Sequence, residues 1–317
     1  MNPPASHPLW SIADVERDTG LAKDTLRVWE KRYGFPSPGR DAGGERQYDQ
    51  TQLQKLRWIK RLIDAGHRPN QIVSRTDTEL EVMVRALESA NQSCLDPDAR
   101  FDVTQWLAWL RDNQTDAVRR ALQDHLLRHG LASTIEDLIA PLSAQVGLAW
   151  FRGELSIFQE HLFTESVQVM LRESISVLDK QAPNRGTPPR VLLTTLPNEH
   201  HVMGLLMAEC FLALERCIRF PLGPNTPLVD IVAAVRELSV DVLAMSFSAH
   251  MPANETVQQI RQLRNLLPEE VALWAGGGAA VLHTRRIPKG VQVVRKATEL
   301  STLVAAWRRQ HGGADTP

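Results

Sequence analysis

Cysteine is scarce in this chain of 317 residues: there are three, Cys94, Cys210 and Cys217, and no CxxC pair among them. That is too few for a disulfide framework and offers no zinc-ligand spacing. No apolar run approaches the ~20 residues that cross a bilayer. The opening MNPPASHPLW lacks the basic and then long apolar stretch of a secretory signal. The expectation is a cytoplasmic protein without membrane contact. Net charge is nearly missing too, with 36 Lys and Arg against 37 Asp and Glu. That balance excludes a uniformly basic nucleic-acid coat, and an acidic tail, as the whole molecule. With 43% apolar residues and about 150 residues per domain, two or three domains are expected.

The charge that is present is unevenly placed. Residues 1–75 hold 13 Lys and Arg but 9 Asp and Glu. Ser11 is placed to cap a helix whose first turn carries Asp14 and Glu16, where the helix dipole favours acid. Gly20 interrupts it, and AKDTLRVWEKRYG starts a second helix that Gly34 ends. Two short helices joined by a glycine turn form a helix-turn-helix. In FPSPGRDAGGERQYD the prolines and glycines predict a turn between short strands. TQLQKLRWIKRLIDAG follows as an amphipathic helix, apolar at Leu53, Leu56, Ile59, Leu62 and Ile63.

Residues 76–100 read as a partly helical joint. Residues 101–181 are helical by period, with breaks at Asn113-Gln114, His129-Gly130 and Arg152-Gly153. Four helices with short connections predict an antiparallel bundle, and Ser156 with Gln159 fits a capping box on the last. The Pro- and Gly-rich stretch 182–189 reads as a linker. Over 190–310 the apolar runs VLLTTL, DVLAMSF, VALWAGG and VQVV alternate with helical patterns, predicting a Rossmann-like parallel sheet covered by helices on both faces. The expected fold is therefore a winged helix-turn-helix over 1–75, a bundle over 101–181 and an α/β domain over 190–310.

Residues 8–75 resemble the DNA-binding domain of MerR-type transcription regulators. The resemblance rests on Thr25-Leu26-Arg27-Val28-Trp29-Glu30, Arg32-Tyr33-Gly34, Arg40 and Gly44-Glu45-Arg46-Gln47-Tyr48. It implies that the second helix enters the major groove and the hairpin forms a wing on the backbone. The DNA-contacting set would be Thr25, Arg27, Trp29, Arg32, Tyr33, Arg40, Arg46 and Tyr48. Trp29 and Tyr48 either wedge the wing against the helix or touch the sugar-phosphate chain. Arginines on phosphate supply sequence-independent affinity through counterion release. The resemblance also implies a self-associating protein on an inverted-repeat operator in double-stranded DNA.

The last region carries Glu199-His200-His201-Val202-Met203-Gly204 after the first apolar run. Ser246 follows Gly204 after 41 residues, and Gly276-Gly277-Gly278 follow Ser248 after 27. These elements in register resemble the cobalamin domain of methionine synthase and several mutases. The resemblance implies cobalt ligation by His201, with Glu199 orienting the imidazole. Gly204, Ser246, Ser248, Gly276 and Gly277 would line the slot for the cofactor's nucleotide tail. His200 is a rival ligand, but only His201 has an acid two before and a glycine three after.

Trp150, nine intervening residues and then Glu160-His161 resemble the light-responsive MerR-type cobalamin regulators, the CarH and LitR group. There the bundle caps the corrin, so Trp150, Glu160 and His161 would face the upper group of adenosylcobalamin. In that group the adenosylcobalamin form is a DNA-bound tetramer that light dismantles. Phe151 stands where the group has a histidine that takes the upper cobalt position after photolysis, and phenylalanine has no lone pair. The reading is a non-enzymatic, cobalamin-controlled regulator, as a repressor, with light as the candidate signal. Two alternatives stay open: a regulator that binds no cofactor and uses its C-terminal half for protein contacts, and the corrinoid carrier of a methyltransferase.

Overall fold

The computed structural model describes residues 9–64, 67–92, 102–181, 186–249 and 251–311. They fall into two compact units. The first holds the chain as far as α5 together with Leu148–Glu154, and the second holds the rest.

The first unit runs β1 (Trp10–Ser11), α1 (Ile12–Thr19), α2 (Lys23–Tyr33), β2 (Gly39–Arg40), β3 (Arg46–Tyr48), α3 (Gln50–Asp64), α4 (Pro69–Ile72) and α5 (Asp77–Gln92). A reciprocal capping box opens α1. Ser11 Oγ accepts the Asp14 N–H at 3.3 Å, and the Asp14 carboxylate accepts the Ser11 N–H at 3.1 Å. Gly20 and Gly34 close α1 and α2 in the left-handed conformation, φ 69° and 68°, which costs glycine nothing. The strands form a small antiparallel sheet in the order β1-β3-β2. In the β2–β3 turn Asp41 Oδ1 accepts the N–H groups of Gly43 and Glu45 at 2.9 Å each. Leu53, Leu56, Ile59 and Leu62 are fully buried on α3, against Val15, Leu26, Trp29 and Tyr48.

The described part of the partly helical joint expected over 76–100 is helix, and it belongs to the first unit. Helix α5 occupies its first part and buries Leu80 and Val84 in this same core. The remainder, with Cys94 and Asp96-Pro97-Asp98, lies outside the described residues, as do 182–185 of the expected linker.

The second unit begins with α6 (Val103–Arg111) and α7 (Thr115–Ser133). Wider π-type turns over Thr134–Ile139 lead into α8 (Ala140–Phe151), and α9 (Ile157–Gln181) follows. The expected breaks are present: Gly130 departs from helical geometry at φ 78° and ψ 170°. At the start of α9 the Gln159 side chain accepts the Ser156 N–H at 2.8 Å. The last turn of α8 is counted with the first unit, where Phe151 is 6% exposed within the cluster of Val15, Trp29, Leu53 and Leu56.

Then come β4 (Thr187–Thr194), α10 (Met203–Leu214), β5 (Cys217–Gly223), α11 (Leu228–Glu237), β6 (Val242–Ser246), α12 (Ala253–Leu266), β7 (Ala272–Gly276), β8 (Val291–Val294) and α13 (Glu299–His311). The strands form one parallel sheet in the order β5-β4-β6-β7-β8. Ile231, Val235, Val257, Ile260 and Leu263 of α11 and α12 pack with Leu192, Leu243, Met245 and Leu273. Pro188 and Pro189 of the expected linker lie at the start of β4, where the pairing with β5 slips between Thr187 and Arg190. Strand starts tolerate proline because little ladder bonding is lost there.

Candidate functional site

A helix-turn-helix offers DNA the outward face of its second helix. Here that face of α2 carries Arg27, Val28, Lys31 and Arg32, all exposed. Arg27 pairs with Asp24 at 2.9 Å, and Arg32 lies over the half-buried Tyr33 ring, 5.4 Å from its centre. Thr25 is half-buried. In the wing Arg40 is exposed and donates to the Gly44 carbonyl at 2.7 Å, which shapes the turn. Lys31 and Val28 were not singled out from sequence. Their spacing of four from Arg27 and Arg32 was the signal that places them on the same face.

Three expected contacts need correction. Trp29 and Tyr48 are 5% and 0% exposed, so they wedge the wing and helix from inside and do not reach a sugar-phosphate chain. Burial pushes the Tyr48 phenol above its ordinary pKa. Arg46 donates through Nε to Glu30 Oε2 at 2.8 Å, and that bond raises its guanidinium further. It pins the wing to α2.

The histidine loop lies where the topology of the sheet puts ligands. In the order β5-β4-β6 the chain leaves β4 on one side for β5 and reaches β6 on the other. Loops after β4 and β6 therefore border the crevice of a topological switch point. Residues 195–202 follow β4, and 247–252 follow β6. Glu199 joins them. One carboxylate oxygen is 2.6 Å from His201 Nδ1 and 3.0 Å from the His201 N–H, and the other accepts the Ser248 N–H at 2.7 Å. Burial alone would raise the Glu199 carboxyl, but these bonds outweigh it and hold the pKa at about 2. The same hydrogen bond raises the His201 pKa against opposing burial, with smaller help from the charges of Glu199 and Glu160.

Glu199 is buried to 1% exposure while the His201 side chain is 58% exposed. A neutral imidazole that donates from Nδ1 carries its lone pair on Nε2, the arrangement a metal-bound histidine needs. His200, beside it, is exposed and is not the partner of Glu199. Sequence reasoning missed Thr195, which is fully buried at the end of β4. Its hydroxyl donates to the Glu199 carbonyl at 2.6 Å and accepts the Asn225 N–H at 2.7 Å. Adjacent hydroxyls in Thr194-Thr195 at a strand's carboxyl end were the available sign.

The glycines mark close approaches. A Cβ on Gly204 would collide with Ser246 Oγ, and one on Gly277, at φ 113°, with the Phe247 carbonyl. Gly276 pairs with Ser246 across β6 and β7. Glycine at these positions lets the start of α10, the β6 loop and the end of β7 close tightly beside the oriented imidazole.

The three expected capping residues are divided between the units. Glu160 accepts the Thr164 hydroxyl at 2.6 Å and lies 3.6 Å from the exposed His161 ring. Both belong to the second unit, with the histidine loop, whereas Trp150 belongs to the first. Its ring lies beneath the Arg57 guanidinium at 5.1 Å.

Residues 10–75 match the MerR HTH family of regulatory proteins, and residues 104–173 match the B12 binding domain. The chain is 29% identical over 268 residues to the HTH-type transcriptional repressor CarH of Myxococcus xanthus, spanning 83% of this chain and 87% of that one. It is 27% identical over 310 residues to the HTH-type transcriptional repressor CarA of the same organism, spanning 96% and 99%. Among solved structures, the monomethylamine corrinoid protein of Methanosarcina barkeri is similar with a TM-score of 0.51 at 13% identity. The match covers 64% of this chain and 96% of that one, and it speaks for the fold alone. Among the described residues no helix is long and apolar enough to cross a membrane.

Proposed function

We propose that this chain, a homologue of the CarH and CarA repressors that joins a MerR helix-turn-helix to a B12 binding domain, is a transcriptional repressor whose hold on DNA is set by bound cobalamin. The observation that carries the reading is the Glu199–His201 bond at the switch point. It orients one imidazole in a chain that also presents a basic helix to DNA. His201 would hold cobalt from below and Glu199 would fix its tautomer. Gly204, Ser246, Ser248, Gly276 and Gly277 would admit the nucleotide tail. When bound as adenosylcobalamin, the group supplies a cobalt–carbon bond that light breaks.

Arg27, Lys31, Arg32 and Arg40 would contact an inverted-repeat operator, in a dimer or tetramer of the chain. Joining several readers on one assembly raises avidity without new base contacts, so a ligand that favours one association state would control repression. Phe151 provides no cobalt ligand, so the light response in this chain would follow from loss of the adenosyl group.

The test is the visible spectrum of the purified chain after incubation with adenosylcobalamin in darkness and gel filtration. Retained corrin bands, with tighter binding to DNA than the cofactor-free chain, are expected. Illumination should change both the spectrum and the oligomer size. No retained bands would favour the cofactor-free regulator.

A further inference from the structure

One stretch of the second unit is strongly biased in charge. Residues 279–298 hold Arg285, Arg286, Lys289, Arg295 and Lys296 and no Asp or Glu, whereas the rest of 76–317 holds 18 Lys and Arg against 28 Asp and Glu. All five cations are exposed. None of them pairs with a carboxylate among the described residues, while elsewhere in the unit Arg219 and Arg308 turn to Asp179, Glu209 and Glu215.

The stretch is anchored. It leaves β7, makes a short 3-10 turn over Ala280–His283 and enters β8 at Val291. Val281 and Leu282 are buried in the core shared with α12, and Ile287 packs on it. Thr284 Oγ1 donates to the Val281 carbonyl at 2.8 Å and accepts the Arg286 N–H at 3.3 Å. From α12, Arg261 donates to the Arg286 carbonyl at 3.3 Å, and the Arg286 guanidinium donates to Asn254 Oδ1. Both guanidinium groups therefore meet neutral acceptors, and their charge stays unmatched. The next acid along the chain, Glu299, accepts the Arg295 N–H at 3.0 Å. A backbone held in this way has little left to order when it meets a polyanion.

We propose that this stretch is a second nucleic-acid surface, distinct from the helix-turn-helix, that grips phosphates of double-stranded DNA without reading bases. The choice of DNA rests on the DNA-binding reading above: a duplex held by the reader is present at high effective concentration around the rest of the same chain. Lys and Arg contacts to phosphate carry no sequence information and are strongly salt-dependent.

Fluorescence anisotropy of the full chain with a labelled duplex of arbitrary sequence, across a series of salt concentrations, tests this. Arg285→Gln/Lys289→Gln/Lys296→Gln removes three side chains that make no bond among the described residues, so the melting temperature should not move. The slope of log affinity against log salt should fall by about 2–3, near 0.9 for each lost phosphate contact. Arg119→Gln/Arg120→Gln/Arg128→Gln, at exposed positions of α7, changes net charge equally and should leave the slope unchanged. Equal losses in the two triple variants, or an unaltered slope in the first, overturn the surface. An unaltered slope with a smaller assembly on gel filtration also overturns it, in favour of an acidic face on a second copy. Arg32→Ala separates this surface from the reader. If Arg32→Ala leaves the slope unchanged while the loop variant lowers it, the reader's role fails and the loop's stands; the reverse overturns the loop alone. A wild-type chain that binds no duplex overturns both.

Discussion

Ser246 Oγ occupies the space that a side chain at Gly204 would need. The Ser246 side chain at the end of β6 therefore packs against the start of α10 beside the histidine loop. Gly204→Ala should destabilise the cofactor-free chain by about 1–3 kcal/mol through overpacking and reduce cobalamin retention. The double variant Gly204→Ala/Ser246→Gly should recover most of the stability. Thermal melts of the three proteins check this, and a double variant no better than the single would show that the clash lies elsewhere.

Glu199 ties His201 to the β6 loop through Ser248. Glu199→Gln keeps the shape but removes the charge, and should weaken cobalamin binding about 10–100-fold, as for other groups that orient metal-bound histidines. His201→Ala should alter the corrin spectrum and His200→Ala should leave it unchanged. Titration followed by absorbance distinguishes these. Wild-type affinity in the Gln variant would remove Glu199 from the ligand arrangement.

On the reader, exposed and engaged arginines should behave differently. Arg32→Ala should leave the melting temperature unchanged and reduce the salt slope of DNA binding by about one. Arg46→Ala strands Glu30, loosens the wing and should lower the melting temperature, and Glu30→Gln in the same protein should restore part of it. Fluorescence anisotropy at several salt concentrations, with melts of each variant, separates the two roles.

Stability of the bundle should fall on acidification through His125. Burial lowers its pKa, and the neighbouring His129 lowers it further. Its Nδ1 lies 3.0 Å from the Thr134 hydroxyl, which itself donates to the Gly130 carbonyl. The hydroxyl is thus left to accept, and the neutral ring donates from Nδ1. A folded pKa below the unfolded value means this contribution is complete above the ordinary histidine pKa. It is lost as pH falls through the depressed one. Melts of wild type and His125→Gln between about pH 7.5 and 5 should converge as the pH drops. Parallel curves would clear His125 of the effect.

The features legible in the sequence were local. Ser11, Gly20 and Gly34 act within a few residues, so the reader's helices are found where the caps put them. The register of Glu199, His201 and Gly204 with Ser246 and Gly276 likewise survives as geometry, because each stands at a strand's carboxyl end, in the loop after it or at the start of the helix that follows. Strand β5 was hidden because it is an edge strand: its Arg219 and Pro221 dilute the apolar pattern, and an edge tolerates both. The burial of Tyr48 and the placement of Phe151 were hidden for another reason. Each depends on packing against elements distant along the chain, and Phe151 meets Gln54 across 97 positions.

Because Phe151 lies in the reader's interior, the smallest autonomous DNA-binding piece is not a simple N-terminal segment. A fragment ending after α5 would expose the apolar hollow that this ring fills, and would be prone to melting or to self-adhesion. A peptide bearing residues 148–154, supplied separately, is the natural graft to make it whole.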